Sequence, residues 1–154
     1  MSMVANRTVP AYAVALVVIG GVIWVAAAIL YAAQVASCMS CGSVVAAPGV
    51  DTAGYSSAAI RTLAWDALYA NVYVGTIGLL AIAIGLTGFR RGERWAWYAI
   101  GVFVLAGLLT AFIDELAWGG WFTFLFLGLL PLLGWALSTP SFFRGRAGTP
   151  PGRS

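Results

Sequence analysis

Two cysteines are the residues best suited to covalent chemistry. Cys38 and Cys41 are separated by Met39 and Ser40, and the chain contains no other cysteine. A CxxC pair can form a structural disulfide that holds the Gly- and Ser-rich segment around it, or it can exchange disulfides with a partner's thiols. Two thiolates can also bind a metal ion, but such a site takes further Cys or His ligands. The sequence supplies neither, so no metal site is predicted.

A second group of candidate residues is acidic, polar and aromatic. It is predicted to form a pocket for a cation, a quinone or a lipid head group, because ionisable residues near membrane depth mark functional sites. Its members are Asp66, Tyr69, Asn71, Tyr73, Asp114, Glu115 and Trp118. The alternative is that these acids are simply solvated, with Arg61 paired to Asp66.

Asp114 and Glu115 are also candidates for acid–base catalysis. Neighbouring residues of a helix point about 100° apart, so one of the two carboxylates, rather than both, is expected to face Asp66. No motif surrounds them, and the chain has no His, the commonest general base. We therefore expect a protein that is not an enzyme, and the sequence indicates no resident cofactor.

Arg90, Arg91 and Arg94 form a short basic segment. Arginines that flank apolar runs orient a chain in a membrane, and they can also bind anionic lipid head groups. Orientation is the simpler explanation of this segment. The net charge of +3 does not indicate nucleic-acid binding.

The elements that position these residues are long apolar runs. Hydrophobic residues make up 62% of the chain and charged residues only 8%, whereas soluble domains carry about 25% charged residues. The runs are too long and unbroken for barrel strands, so membrane helices are predicted. Spans are expected at about 12–33, 67–89, 95–113 and 121–137, with Pro131 as a kink in the last.

The predicted architecture is all-α, a single domain over 1–137 that forms an antiparallel bundle of four transmembrane helices. Residues 34–59 form an outward loop in which Ser56 or Ser57 caps the next helix, and residues 138–154 form a disordered tail. The second and third spans are joined by a short turn, so they are expected to be neighbours.

Charge predicts the orientation of this bundle. The 90–94 turn and the tail are basic, while the opposite end carries Arg61 against four acids: Asp51, Asp66, Asp114 and Glu115. The positive-inside rule then places both termini in the cytoplasm of a bacterial cell, with the bundle in its inner membrane. Trp65, Trp118 and Trp121 are expected at the outer interface, and Trp95, Trp97, Phe142 and Phe143 at the inner one. Cys38 and Cys41 lie on the oxidising side, where a disulfide is expected.

Two partial resemblances bear on function. Four spans with CxxC in the first outward loop resemble the DsbB-type disulfide oxidoreductases, which implies electron transfer from Cys38 and Cys41 to a quinone. That family also has a cysteine pair in its second outward loop, where residues 114–120 contain no Cys. The size and four-span plan are similar to those of DoxX-like membrane proteins, a resemblance of architecture alone.

The leading expectation is a non-enzymatic accessory subunit or a binder of a small lipophile, such as a lipid or a quinone, in the outer half of the bundle. The first alternative is a thiol–disulfide oxidoreductase that uses Cys38 and Cys41, with quinone as its cofactor. The second is an oligomeric transporter or channel. The expected partners are the bilayer and either another membrane protein or a second copy of the chain.

Overall fold

The computed structural model describes residues 9–42, 51–118 and 128–143, with the backbone alone for residue 111 and residues 113–118. The described residues form four α-helices and no strand. They are α1 (Ala11–Ser37), α2 (Ser57–Ile84), α3 (Arg94–Trp118) and α4 (Leu130–Phe143), and a π-helical segment, Gly85–Phe89, continues α2. The all-α prediction is confirmed for this part of the chain.

Two of the helices are long and apolar enough to cross a membrane. Ala11–Ser37 has 27 residues and Ser57–Phe89 has 33, lengths of about 40 and 50 Å at 1.5 Å per residue. The hydrocarbon layer is about 30 Å thick. A shorter apolar stretch, Arg94–Thr110, lies in α3. Length and composition therefore support two spans.

Several predicted boundaries change. The α2 helix begins at Ser57 with Ser56 as its cap, because Ala59 N donates to Ser56 Oγ at 3.2 Å. The α3 helix does not end at Asp114 and Glu115 but runs through them to Trp118.

The predicted disordered tail is corrected at its start. The α4 helix continues to Phe143, since Ser138 and Phe142 are buried and hold residues 138–143 against the bundle. The part of the predicted second outward loop beyond residue 118 and the rest of the tail, 144–154, lie outside the described residues. Pro131 lies in the first turn of α4. Because the residues just before 128 are outside the described part of the chain, the predicted kink at Pro131 stays a prediction.

The α1 helix packs along both α2 and α4, through two adjacent glycines. A Cβ on Gly21 would lie 2.8 Å from the carbonyl oxygen of Gly78, and a Cβ on Gly20 would meet the Pro131 ring. Near the start of α1, a Cβ on Gly134 would lie 2.8 Å from the Ala13 carbonyl oxygen. These contacts are backbone against backbone or ring, so only glycine permits helix axes this close.

The end of the bundle that carries Arg90, Arg91 and Arg94 is called the arginine end. Phe89 and Phe142 are 0% and 2% exposed, with ring centroids 5.2 Å apart. Trp97 and Trp135 stack at 4.5 Å, and Trp135 Nε1 donates to the Trp97 carbonyl oxygen at 2.9 Å. Trp97 and Phe142 were expected to be interfacial anchors, but these contacts make them part of the packing between helices.

The opposite end of the bundle, which carries Cys38 and Cys41, is called the cysteine end. Its buried apolar cluster among the described residues contains only Val35 of α1 and Ala64 of α2, with partly buried neighbours around them. The α2 helix contributes few buried residues along its whole length, namely Ala64 and Gly78. One face of α2 is therefore packed on α1, and most of its large side chains remain exposed.

Candidate functional site at the cysteine end

Cys38 and Cys41 are joined by a disulfide, with their Cα atoms 5.3 Å apart. The α1 helix ends at Ser37, and the next residues turn back at once: Cys38 N donates to the Val35 carbonyl at 3.2 Å and Cys41 N to the Cys38 carbonyl at 3.1 Å. The expected disulfide therefore closes a single tight turn. A disulfide sulfur is neither a thiolate nor a metal ligand, and no His, Cys, Asp or Glu cluster of metal-binding size occurs in the described parts of the chain.

Met39 anchors this turn to the next helix. Its side chain is partly buried against the Val35 and Ala64 cluster, which Ile60, Leu63, Ala67 and Leu68 of α2 complete. The disulfide fixes the direction in which Met39 leaves the chain. The turn thus connects the end of α1 to the first turns of α2.

An open cleft of about 500 Å³ lies beside the disulfide and is called the cysteine-end cleft. Its lining residues are Ser37, Cys38, Met39, Ser40, Arg61 and Trp65. Arg61 and Trp65 are four residues apart, which places both side chains on one face of α2. The cleft combines a cation, an indole ring, a thioether and two hydroxyls.

Arg61 is an exposed cation at this site, with no ionic partner in the described part of the chain. The expected ion pair between Arg61 and Asp66 does not form: neither side chain has an ionic partner among the residues that the structure describes, and both are exposed. Five residues separate them along α2, more than the three or four that bring side chains together. The guanidinium can therefore serve an anionic ligand in the cleft.

The α2 members of the predicted pocket divide between two faces of the helix: Asp66, Tyr69 and Tyr73 share an exposed face, and Asn71 lies on another. Tyr69 is 60% and Tyr73 69% exposed, and Tyr69 contacts the Trp65 ring, with centroids 6.1 Å apart. Asn71 is partly buried, and its Nδ2 donates to the Ala67 carbonyl oxygen of its own helix at 2.7 Å. None of Asp66, Tyr69 and Tyr73 lines the cysteine-end cleft.

Asp114, Glu115 and Trp118 lie on the last turns of α3. Their side chains fall outside the described part of the structure, so their proximity to Asp66 and their part in acid–base chemistry stay predictions. The described contacts between α2 and α3 lie nearer the arginine end, around Ala81 and Ile100.

A second cavity lies at the centre of the bundle. All four helices line it, with the residues Val17, Gly21, Trp24, Ile77, Ala81, Ile100, Phe103, Val104 and Pro131. Its volume is about 20 Å³. One water molecule needs roughly 10–15 Å³ on the same measure, so the cavity has room for one or two waters. A space so small does not hold a quinone ring.

At the arginine end, the turn after α2 holds its three arginines in the open. Gly92 has φ 72°, a conformation that other residues adopt only at a cost, and its N–H donates to the Phe89 carbonyl at 3.0 Å. Arg90, Arg91 and Arg94 are all exposed. Glu93 accepts a hydrogen bond from Trp95 Nε1 and forms no ion pair with the three arginines of this turn.

The sequence had indicated Cys38 and Cys41 but not the cleft beside them. Arg61 was expected to pair with Asp66, and Trp65 to mark an interface. The i, i+4 spacing of Arg61 and Trp65 was the available signal, but it needed the end of α1 to be placed against the start of α2.

Comparisons with protein-family models, with curated proteins and with solved structures found no match to this chain.

Proposed function

We propose that this chain is an inner-membrane protein of a bacterial cell, with four membrane-spanning helices and both termini in the cytoplasm. The lengths of α1 and α2 support two of the spans. The 25 residues of α3 extend for about 37 Å, which also exceeds the hydrocarbon thickness. The three exposed arginines of the 90–94 turn support a cytoplasmic arginine end by the positive-inside rule.

On this placement the cysteine end faces outward, and its function is to bind an amphiphile in the cysteine-end cleft. The observation that carries this proposal is one open cleft lined by Arg61, Trp65 and Met39, in which the Arg61 guanidinium has no ionic partner among the residues that the structure describes. An anionic head group would bind the guanidinium through charge-assisted hydrogen bonds. The apolar part would lie on Trp65 and Met39. A lipid with an anionic head group satisfies both requirements, whereas an uncharged quinone leaves Arg61 unused.

The test is purification of the full chain in native-membrane nanodiscs, followed by mass spectrometry of the bound amphiphiles. Arg61→Gln removes the charge and leaves a shorter polar side chain. We expect it to reduce the anionic amphiphile bound in the cysteine-end cleft about tenfold, the effect of losing one charge-assisted hydrogen bond. Arg94→Gln at the other end is the matched control. Equal occupancy in wild type and Arg61→Gln would contradict the proposal.

A second function, thiol–disulfide exchange, is favoured by one specific observation: the disulfide itself lines the cleft and is only partly buried. A partner thiolate would attack one sulfur, the S–S bond would break, and the displaced cysteine sulfur would take a proton. The partner's second thiol would then resolve the mixed disulfide, so that the partner is oxidised and Cys38 and Cys41 become two thiols. A quinone would reoxidise them by accepting two electrons and two protons. Arg61 beside the pair would favour the thiolate form.

The two functions are distinguished by the rate at which the pair is reduced. In an exchange site the disulfide reacts readily with a small dithiol, while a structural disulfide resists it. Incubation of the purified protein with dithiothreitol, followed by alkylation and mass spectrometry, measures the reduced fraction over time. If the disulfide resists reduction by dithiothreitol in the wild type and also in Arg61→Gln, exchange is excluded and binding remains the proposed function of this end.

A further inference from the structure

A groove at the arginine end has a second combination of apolar lining and free cation. It lies between the first turns of α1 and the end of α2, has a volume of about 580 Å³, and is called the α1–α2 groove. Its lining residues are Val9, Pro10, Ala11, Val14, Ala15, Val18, Leu86 and Arg90. Every one of these side chains is apolar except that of Arg90.

The polar and apolar parts of the groove are separated along its length. Pro10 and Val18 are eight residues apart on α1, which corresponds to about 12 Å. Arg90 follows the π segment directly, one turn beyond Leu86 towards the arginine end. The cation therefore lies at the arginine end of the groove, and the apolar side chains of Leu86 and Val18 lie further from that end.

The π-helical segment fixes the position of Arg90. Arg90 N donates to the Gly85 carbonyl oxygen at 3.1 Å, an i to i+5 hydrogen bond that accommodates one more residue per turn than an α-helix would. One residue corresponds to about 100° of helical rotation. The extra residue lets Phe89 enter the core while Arg90 remains exposed at the groove. Gly85 allows the approach of the two helices, because a Cβ there would lie 3.3 Å from Val17 and Val18 side chains.

No protein group within the described residues neutralises this cation. Arg90 has no ionic partner there, and the adjacent carboxylate, Glu93, is engaged by Trp95. Arg91 and Arg94 add positive charge nearby. A ligand of the groove must therefore be anionic at one end and apolar at the other.

We infer that the α1–α2 groove binds one anionic glycerophospholipid, with its phosphate on Arg90 and an acyl chain along Val14, Val18 and Leu86. The inference rests on the membrane placement proposed above but not on the cysteine-end cleft. The site holds a lipid of the cytoplasmic leaflet at the contact between α1 and α2. A lipid site explains why Arg90 lies beside an apolar groove. Orientation of the chain by positive charge alone would not require a groove there.

The experiment measures phosphatidylglycerol retained by the full chain, using native mass spectrometry of protein released from nanodiscs of phosphatidylglycerol and phosphatidylcholine. We expect Arg90→Gln and the groove-filling Ala15→Phe each to lower retention of phosphatidylglycerol about tenfold. Arg91→Gln and Ala27→Phe, an exposed position of α1 outside the groove, are the matched controls and should retain the lipid. The double variant should lose at least as much as the weaker single variant, because both changes act on the same bound lipid.

Three results would overturn the inference. An equal loss in Arg90→Gln and Arg91→Gln would mean a general attraction of the basic turn for anionic lipid. Full retention in Ala15→Phe would mean that no chain lies in the groove. Conversion of a dimer to a monomer by Ala15→Phe, visible in the same spectra, would assign the groove to a second copy of the chain. The membrane placement is checked separately by extraction with alkaline carbonate, which leaves an integral protein in the pellet. The Arg61→Gln variant should retain phosphatidylglycerol at the α1–α2 groove, because that groove does not depend on the cysteine-end cleft.

Discussion

At the arginine end, large aromatic side chains from the π segment, α3 and α4 fill the space between helices. At the cysteine end, the buried cluster of the described residues consists of Val35 and Ala64, and a disulfide closes the turn beside an open cleft. Aromatic packing thus joins the helices at the arginine end, while at the cysteine end α1 and α2 share a small contact and the disulfide closes only the turn after α1. The end with less packing leaves an open cleft between the two helices.

The largest effect is expected at the aromatic contact of the arginine end. Phe142→Ala leaves a cavity against Phe89 and should destabilise the bundle by about 3 kcal/mol, at the low end for such truncations. The low end follows from the proposed membrane placement, since lipid, unlike water, does not penalise an exposed phenyl ring. Leu137→Ala, an exposed position on α4, is the control. Unfolding in mixed micelles of dodecyl sulfate and dodecyl maltoside, followed by circular dichroism, measures both, and equal losses would contradict the packing account.

The next effect is expected where α1 and α2 cross between the two ends. A Cβ on Gly78 would lie 2.7 Å from the Gly21 carbonyl oxygen, and a backbone atom cannot move aside as a side chain does. Gly78→Ala should therefore cost about 2 kcal/mol. Gly75→Ala, one turn away, would place its Cβ in ordinary contact at 3.4 Å from Ala28. Because alanine favours the helix, we expect this control to stabilise the bundle in the same titration. Equal losses in both variants would contradict this account, because of these two positions only Gly78 would bring the added Cβ against a backbone atom.

A smaller effect is expected from removing the disulfide. The loop that it closes is short, so the double variant Cys38→Ser with Cys41→Ser should lose about 2 kcal/mol or less. The loss should be confined to the cysteine end, which hydrogen exchange of the backbone amides near residues 34–42 can localise. Reduction of the wild-type chain with an excess of phosphine is the control and should reproduce the change. Faster hydrogen exchange at the arginine end as well would show that the two ends are coupled, and would contradict the claim that each end is stabilised by its own contacts.

The smallest effect is expected at the start of α2. Ser56→Ala removes the hydrogen bond from Ala59 N to Ser56 Oγ and should cost about 1 kcal/mol. Ser57→Ala changes a neighbouring hydroxyl that does not cap the helix and should be close to neutral. Proteolysis before residue 60 provides the measurement, because fraying of the first turn exposes it. If both variants are cleaved equally, the cap does not hold this end of the helix.

Much of the local structure could be predicted from the residues. The apolar runs predicted the helices, and the Ser56 cap and the Cys38–Cys41 pairing follow from short-range chemistry. Boundaries were harder to predict. The α4 helix extends to Phe143 because Ser138 and Phe142 are buried in the core, and no apolar periodicity in that segment predicts their burial. The candidate site was predicted only in part. The disulfide was expected, while the role of Arg61 depends on where the end of α1 meets the start of α2.

By itself the sequence determined the helical class, the apolar lengths, the basic turn and the disulfide, because each follows from composition or from residues close along the chain. The tertiary structure alone decided which groups meet. It placed Gly21 against Gly78, Phe89 against Phe142, and Arg61 and Trp65 beside Cys38 and Cys41. These encounters depend on helix rotation and on how closely two backbones approach, and a π turn changes both. A repeat of apolar residues along nearly uniform helices leaves that rotation open, and the packing of glycines and aromatic rings fixes it.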